Sequence, residues 1–139
     1  MVRMKRRYEE LETEDGKVVR YQRHENGGGL VAKSAQVDAT AYVADSAWVD
    51  PNAVVEAGAS VGKFCWVEPG AVVHARARLG SHVHIGRDAV VGRGARLGVR
   101  VDVGAKARLD AGLVVEPEAK IPEGAHVERH GFPPHVLAA

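Results

Sequence analysis

Cysteine is almost absent from this chain of 139 residues: there is one, Cys65. A single thiol excludes an internal disulfide framework and every CxxC metal or redox motif. Aromatic residues are scarce as well, at 5%, whereas Gly is plentiful at 16 residues. A core of ordinary construction uses more large rings, so the interior is expected to consist of Val, Ala, Leu and Gly. No sign of charge dominates. Lys+Arg 19 against Asp+Glu 18 gives +1, so no global field points to nucleic acid or a membrane surface. No apolar run approaches ~18 residues, which argues against a transmembrane helix. Met1 to Leu11 is charged along its length and does not read as a secretory leader. The length fits one domain, and a cytoplasmic location is the default expectation.

What is present is a repeat. From Val31, steps of six reach Val37, Val43, Val49, Val55, Val61, Val67, Val73, Leu79, Ile85, Val91, Leu97, Val103, Leu109, Val115, Ile121 and Val127, all seventeen of them Val, Leu or Ile. Two residues before each, from Ala35 to Ala125, stands a small residue; Cys65 belongs to this set, and Val83, Val101 and Leu113 are the exceptions. A period of six matches neither a 3.6-residue helix nor a plain alternating strand. It suits a short strand followed by a bend. Side chains two apart in a strand share a face, so the small residue and the aliphatic point inward together. Three units close a triangular coil of 18 residues, and coils stack at strand spacing, ~4.8 Å. Residues i and i+18 then lie one above the other. Residues 31–130 hold a little over five coils, a rod ~25 Å long.

The recurring order is an aliphatic, then Gly, Ala, Asp or Glu, two free positions, a small residue and one more free position. It resembles the hexapeptide-repeat superfamily, acyltransferases among them. The resemblance implies an all-β fold, a left-handed parallel β-helix shaped as a triangular prism, and assembly as a homotrimer. The left hand comes from the resemblance alone, since parallel crossovers are ordinarily right-handed.

Residues 1–30 lie outside the repeat. Arg3, Lys5, Arg6 and Arg7 make a basic arm, and Asp15-Gly16 is a hairpin turn signal. Asn26-Gly27-Gly28-Gly29 reads as a flexible join. A β-hairpin here would cap the open first coil, as solenoids require. The arrangement loosely resembles phage-encoded hexapeptide-repeat proteins. Residues 131–139 form a C-terminal tail. Its Gly131-Phe132-Pro133-Pro134-His135 is similar to the ending of hexapeptide acyltransferases, where this segment lies near bound coenzyme A. Gly131 and Pro133 are candidate coenzyme contacts on that resemblance; the competing reading is a Pro-rich stop that closes the last coil.

Outward residues sort into three ladders by the 18-residue spacing. Wall one carries Gln36, Val54, Val72, Val90, Arg108 and His126; wall two Tyr42, Ser60, Arg78, Arg96 and Val114; wall three Trp48, Trp66, His84, Asp102 and Lys120. Contiguous exposed apolar stripes mark interfaces, so Trp48, Val54, Trp66, Val72 and Val90 are expected to face neighbouring subunits in a closed ring. Charge is banded. Arg76 to Arg108 holds eight basic and two acidic residues, whereas 38–70 holds five acidic and one basic. The basic waist suits an anionic ligand or an acidic protein partner, with Arg78 and Arg96 as candidate contacts for coenzyme A phosphates. It lacks the interleaved aromatics of a nucleic-acid platform.

His84 is placed one coil above Trp66 and one below Asp102. A histidine oriented by a carboxylate has the geometry of a general base, the role an interfacial histidine plays in hexapeptide acyltransferases. His84 is therefore the catalytic candidate and Asp102 its orienter. His82 falls in the column of Arg100 and is expected to stack on it. The γ-class carbonic anhydrases share this fold and bind zinc through three histidines, but no trio here has their spacing, so no metal site is assigned. The unbroken repeat, with no extruded loop to close over a substrate, favours a non-catalytic structural or binding homotrimer without a cofactor, virion-associated if phage-encoded. The alternative is an acyltransferase with acyl-CoA as co-substrate and His84 as base.

Overall fold

The computed structural model describes residues 8–12, 16 and 18–129; calls made on the basic arm, on Gly131 and Pro133, and on the rest of the tail lie outside it. The repeat folds into a parallel β-solenoid of about five turns. Two-residue strands run from β4 (Gln36–Val37) to β19 (His126–Val127), one per hexad. Together with three strands that precede them, they stack into sheets of eight, six and five strands. The register is the 18-residue spacing throughout: Val72 pairs with Val54 and Val90, and Arg78 with Ser60 and Arg96. Among the described residues no helix is long and apolar enough to cross a membrane.

The two inward positions of each hexad build the core. Ala71, Val73, Ala77, Ala89 and Val91 are fully shielded from solvent. Ala35, Val37 and Ala125, at the two ends of the described prism, are only partly buried because no coil among the described residues covers them. Burying a Val side chain contributes ~1.5–3 kcal/mol, and the repeat adds this gain coil by coil.

The corners follow one rule with one exception. From Asn52 onward, the third residue after each aliphatic has positive φ, glycine or not: Phe64 59°, Arg76 61°, His82 61°, Arg100 58°. Its N–H donates to a carbonyl one coil below, as Arg76 does to Ala57 and His82 to Lys63. The first coil has no coil below it and no positive φ at these places. There Ser34, Thr40 and Ser46 occupy the corners, and their hydroxyl oxygens accept the N–H groups of Asn52, Gly58 and Phe64 at 3.2, 3.0 and 3.0 Å.

The hairpin also appears, formed by β1 (Tyr8–Glu12) and β2 (Val18–Arg23), paired antiparallel. It continues the wall-three sheet sideways: β2 pairs antiparallel with β3 (Leu30–Ala32), which starts the parallel stack. The glycine segment differs from expectation. It is packed rather than flexible. The Asn26 carbonyl accepts the Val43 N–H, and the Gly29 N–H donates to the Val43 carbonyl, both at 3.0 Å. A Cβ at Gly27 or Gly29 would run into Val43. The glycines let the backbone lie directly on wall two, where it takes the place of a missing coil.

Candidate functional site

Wall three brings its outward side chains together because parallel pairing puts them in register. Trp48 pairs with Trp66, Trp66 with His84, His84 with Asp102, and Asp102 with Lys120. The ring centroids of Trp66 and His84 are 4.9 Å apart. His84 Nδ1 is 2.8 Å from Asp102 Oδ1, so the sequence-based trio of Trp66, His84 and Asp102 is assembled as expected.

Glu68 was not foreseen. It follows the Trp66–Val67 strand, and its Oε2 is hydrogen-bonded to His84 Nε2. Both ring nitrogens therefore face carboxylates. Ionised carboxylates accept only, so this arrangement makes both nitrogens donors and favours the imidazolium. Burial alone pulls the His84 pKa down, but the hydrogen bonds and charges of Asp102 and Glu68 outweigh it and hold the ring above its ordinary value. The signal for Glu68 is a spacing of 16 rather than 18: a carboxylate just past one strand reaches a histidine on the strand above. Asp110 and His126 repeat it, Oδ1 to Nε2 at 2.9 Å.

Asp50 holds the base of this ladder. Its Oδ1 accepts from the Tyr21 hydroxyl and its Oδ2 from Trp66 Nε1, both at 2.7 Å. Burial, together with the Asp50 hydrogen bond and charge, pushes the Tyr21 pKa up to about 12. The cap residue Tyr21 thus anchors Asp50, Asp50 sets Trp66, and Trp66 supports His84. Trp48 Nε1, by contrast, is buried and makes no hydrogen bond of regular geometry among the described residues, though its nearness to the Tyr21 hydroxyl works against the rise of that group's pKa.

The other histidines lie apart. His74 pairs with Glu56, Nδ1 to Oε1 at 2.9 Å, and this bond, with the Ala75 N–H, holds the Glu56 carboxyl below its usual range. His82 does not stack on Arg100. Its ring lies on Phe64 at a centroid distance of 4.9 Å, while Arg100 Nε turns up to Glu118 at 3.4 Å. The column is right, but the opposite charge of Glu118 draws the guanidinium away. Cys65 is buried, its thiol donates to the Gly80 carbonyl at 2.9 Å, and burial pushes its pKa up to about 11. It is a packing residue and a poor nucleophile.

Arg78 and Arg96 stand in register on wall two, both exposed, with no ion-pair partner among the described residues. On the expected subunit-facing stripe, Trp48, Val54, Val72 and Val90 are half-buried and Trp66 is exposed. Among the described residues no group of three or more His, Cys, Asp or Glu side chains is placed to hold a metal ion.

No protein-family model matches the chain, and no curated protein sequence matches it. Solved structures do. A histidine-to-asparagine variant of perosamine N-acetyltransferase from Caulobacter crescentus, in complex with CoA and GDP-perosamine, is 26% identical at TM-score 0.60, over 69% of this chain and 50% of that one. A putative acetyltransferase from Bacillus cereus is 20% identical at TM-score 0.53, over 69% of this chain and 70% of that one. The acetyltransferase domain of PglB from Neisseria gonorrhoeae, with acetyl coenzyme A, is 24% identical at TM-score 0.45, over 70% and 52%. This chain spans about half the length of the perosamine enzyme. The fold is that of the hexapeptide-transferase and acyltransferase proteins.

The first of these likenesses corrects the initial expectation about function. A non-catalytic structural trimer without a cofactor was favoured because the repeat is unbroken. The likeness to a CoA-bound acetyltransferase favours the alternative instead. The physical reason is that the histidine site needs no extruded loop: three adjacent turns of one wall, carrying Trp66 and Glu68, His84, and Asp102, assemble it unaided.

Proposed function

We propose that the chain is an acyltransferase that takes its acyl group from a coenzyme A thioester. The observation that carries this reading is a histidine clamped between two carboxylates on a solenoid similar to a CoA-bound N-acetyltransferase. Asp102 holds Nδ1–H and so fixes the ring. With the ring neutral, its Nε2 proton released to solvent, the acceptor amine or hydroxyl takes the place of Glu68 at Nε2, which accepts the acceptor's proton as the new bond to the acyl carbon forms and the carbon–sulfur bond breaks. The thiolate of CoA leaves and collects that proton. Arg78 and Arg96, in register and without carboxylate partners among the described residues, suit the phosphates of the donor. The working unit in this proposal is a homotrimer closed through Val54, Val72 and Val90.

Calorimetry with acetyl-CoA, followed by turnover across amine, hydroxyl and sugar-nucleotide acceptors, tests the activity. Saturable donor binding with turnover of one acceptor class is expected; absence of donor binding would overturn the reading. Val72→Lys puts a charge where burial without a partner is costly. It is expected to yield monomers by light scattering, and an unchanged mass would remove wall one from the contact.

A further inference from the structure

A cleft beside the histidine site has no role in the acyl-transfer reading. On the lower part of wall three, this cleft of about 420 Å³ is lined by Ser46, Trp48, Asp50, Phe64, Cys65 and Trp66. Three of its six lining residues are aromatic, in a chain where aromatics make up 5%. Trp48 and Trp66 sit on paired strands. Yet the ring contacts among the described residues are Tyr21–Trp48, Phe64–His82 and Trp66–His84, so the two indoles are not stacked on each other. The corner backbone explains the positive φ of Phe64, since every corner from Asn52 on shares it. It does not explain a phenyl ring 60% exposed at that place.

Asp50 supplies the charge. It is 8% exposed and accepts from Tyr21 and Trp66, but no Lys or Arg lies within ion-pair distance of it among the described residues. A carboxylate has about four acceptor sites, so two hydrogen bonds leave capacity. Asp50 is the charged residue of the lining, while His82 lies on Phe64 and His84 on Trp66 at its margin. Aromatic faces attract a cation through their quadrupole, by more once water is excluded, and a buried anion without a counter-charge adds to that attraction.

We infer that this cleft is a binding site for a small organic cation of the alkylammonium class, seated among Trp48, Phe64 and Trp66 with Asp50 as its counter-charge. The cleft adjoins the histidine site and shares Trp66 with it, but cation binding here does not require that the chain transfer an acyl group.

Both tryptophans of the chain line the cleft, so intrinsic fluorescence reads its occupancy directly. The test titrates the full chain with choline and with dimethylbutanol, its uncharged isostere with carbon in place of nitrogen. Choline is expected to change the emission saturably, and the isostere to leave it unchanged at equal concentration. Asp50→Asn is expected to weaken choline binding by about tenfold or more, the effect of ~1.4 kcal/mol. Phe64→Ala, at an exposed ring, is expected to weaken it several-fold with the fold intact and serves if Asp50→Asn does not fold. Equal response to the isostere would show a merely apolar cleft and overturn the proposal. So would no saturable response by the wild type, or binding that appears only in Val72→Lys, which would mean that a second copy fills the cleft.

Discussion

Walls two and three are built by the same hexad, with the same strand length and the same 18-residue pairing, yet their outer faces carry opposite chemistry. Wall two stacks Arg78 directly under Arg96, and among the described residues neither has a carboxylate partner. Wall three stacks Trp66, His84 and Asp102, and brings in Asp50 and Glu68 from the adjoining corner. The difference teaches how a solenoid divides its labour. The inward positions are nearly uniform and hold the prism together. The outward positions are free, and the ladder turns residues 16 or 18 apart into contacts. One wall is left as an unbalanced row of cations suited to an anion; the other is a closed network that charges a histidine.

The sharpest way to break this comparison is to remove one group from each wall. His84→Ala is expected to lower acyl transfer by ~10²–10⁴, the range for loss of a general base. Arg96→Ala is expected to raise KM for the acyl donor several-fold with kcat little changed, the signature of lost uniform binding. Steady-state kinetics on both variants checks the split, and equal effects on kcat would erase the distinction between the walls.

The inward rule is tested next. Ala71 is fully buried and Ala75, four residues on, is not. Ala71→Leu is expected to cost ~1–3 kcal/mol through overpacking, and Ala75→Leu to stay within about 0.5 kcal/mol. Thermal melts of the pair decide it. Equal melting temperatures would mean that the inward and outward registers are wrongly assigned.

A smaller effect probes Glu68. The His84 ring must be neutral to accept a proton, and its carboxylate neighbours hold its pKa above the ordinary ~6.5. The acid limb of the kcat/KM profile is therefore expected above that value. Glu68→Gln should move it down, so that the variant is relatively more active at low pH. The stability linkage has the matching sign. A raised folded-state pKa stabilises the fold fully below the unfolded value, and that gain is lost as pH rises through the folded one. Denaturant melts from pH 6 to 9 should show a shallower loss for Glu68→Gln than for the wild type. A profile that does not move would leave Glu68 as a bystander.

The smallest expected change is at Trp48, whose buried Nε1 makes no hydrogen bond of regular geometry among the described residues. Trp48→Phe removes a poorly satisfied buried donor, a liability of ~1–3 kcal/mol, together with its interaction with the Tyr21 hydroxyl and some ring contact with Tyr21. The two nearly cancel, so the melting temperature is expected to hold or rise slightly. A loss beyond ~1 kcal/mol would show that the indole packing outweighs its poorly satisfied donor.

The hexad alone determined the architecture. An aliphatic every six residues with a small neighbour two before it has one economical solution, because only a short strand and a tight corner repeat at that period. The residue columns followed from it, which is why Trp66, His84 and Asp102 were legible as neighbours. Tertiary structure decided what lies between columns. Side-chain reach across a corner brought Glu68 to His84, drew Arg100 to Glu118 and set His82 on Phe64. None of these is fixed by an 18-residue spacing. The first coil was beyond the period altogether: with no turn beneath it, its corners rely on the hydroxyls of Ser34, Thr40 and Ser46, and its open wall on the packed glycines near Val43. A repeat specifies its own interior, because each unit meets a copy of itself. Its ends and its outer face meet something different at every place, and only the folded chain shows what.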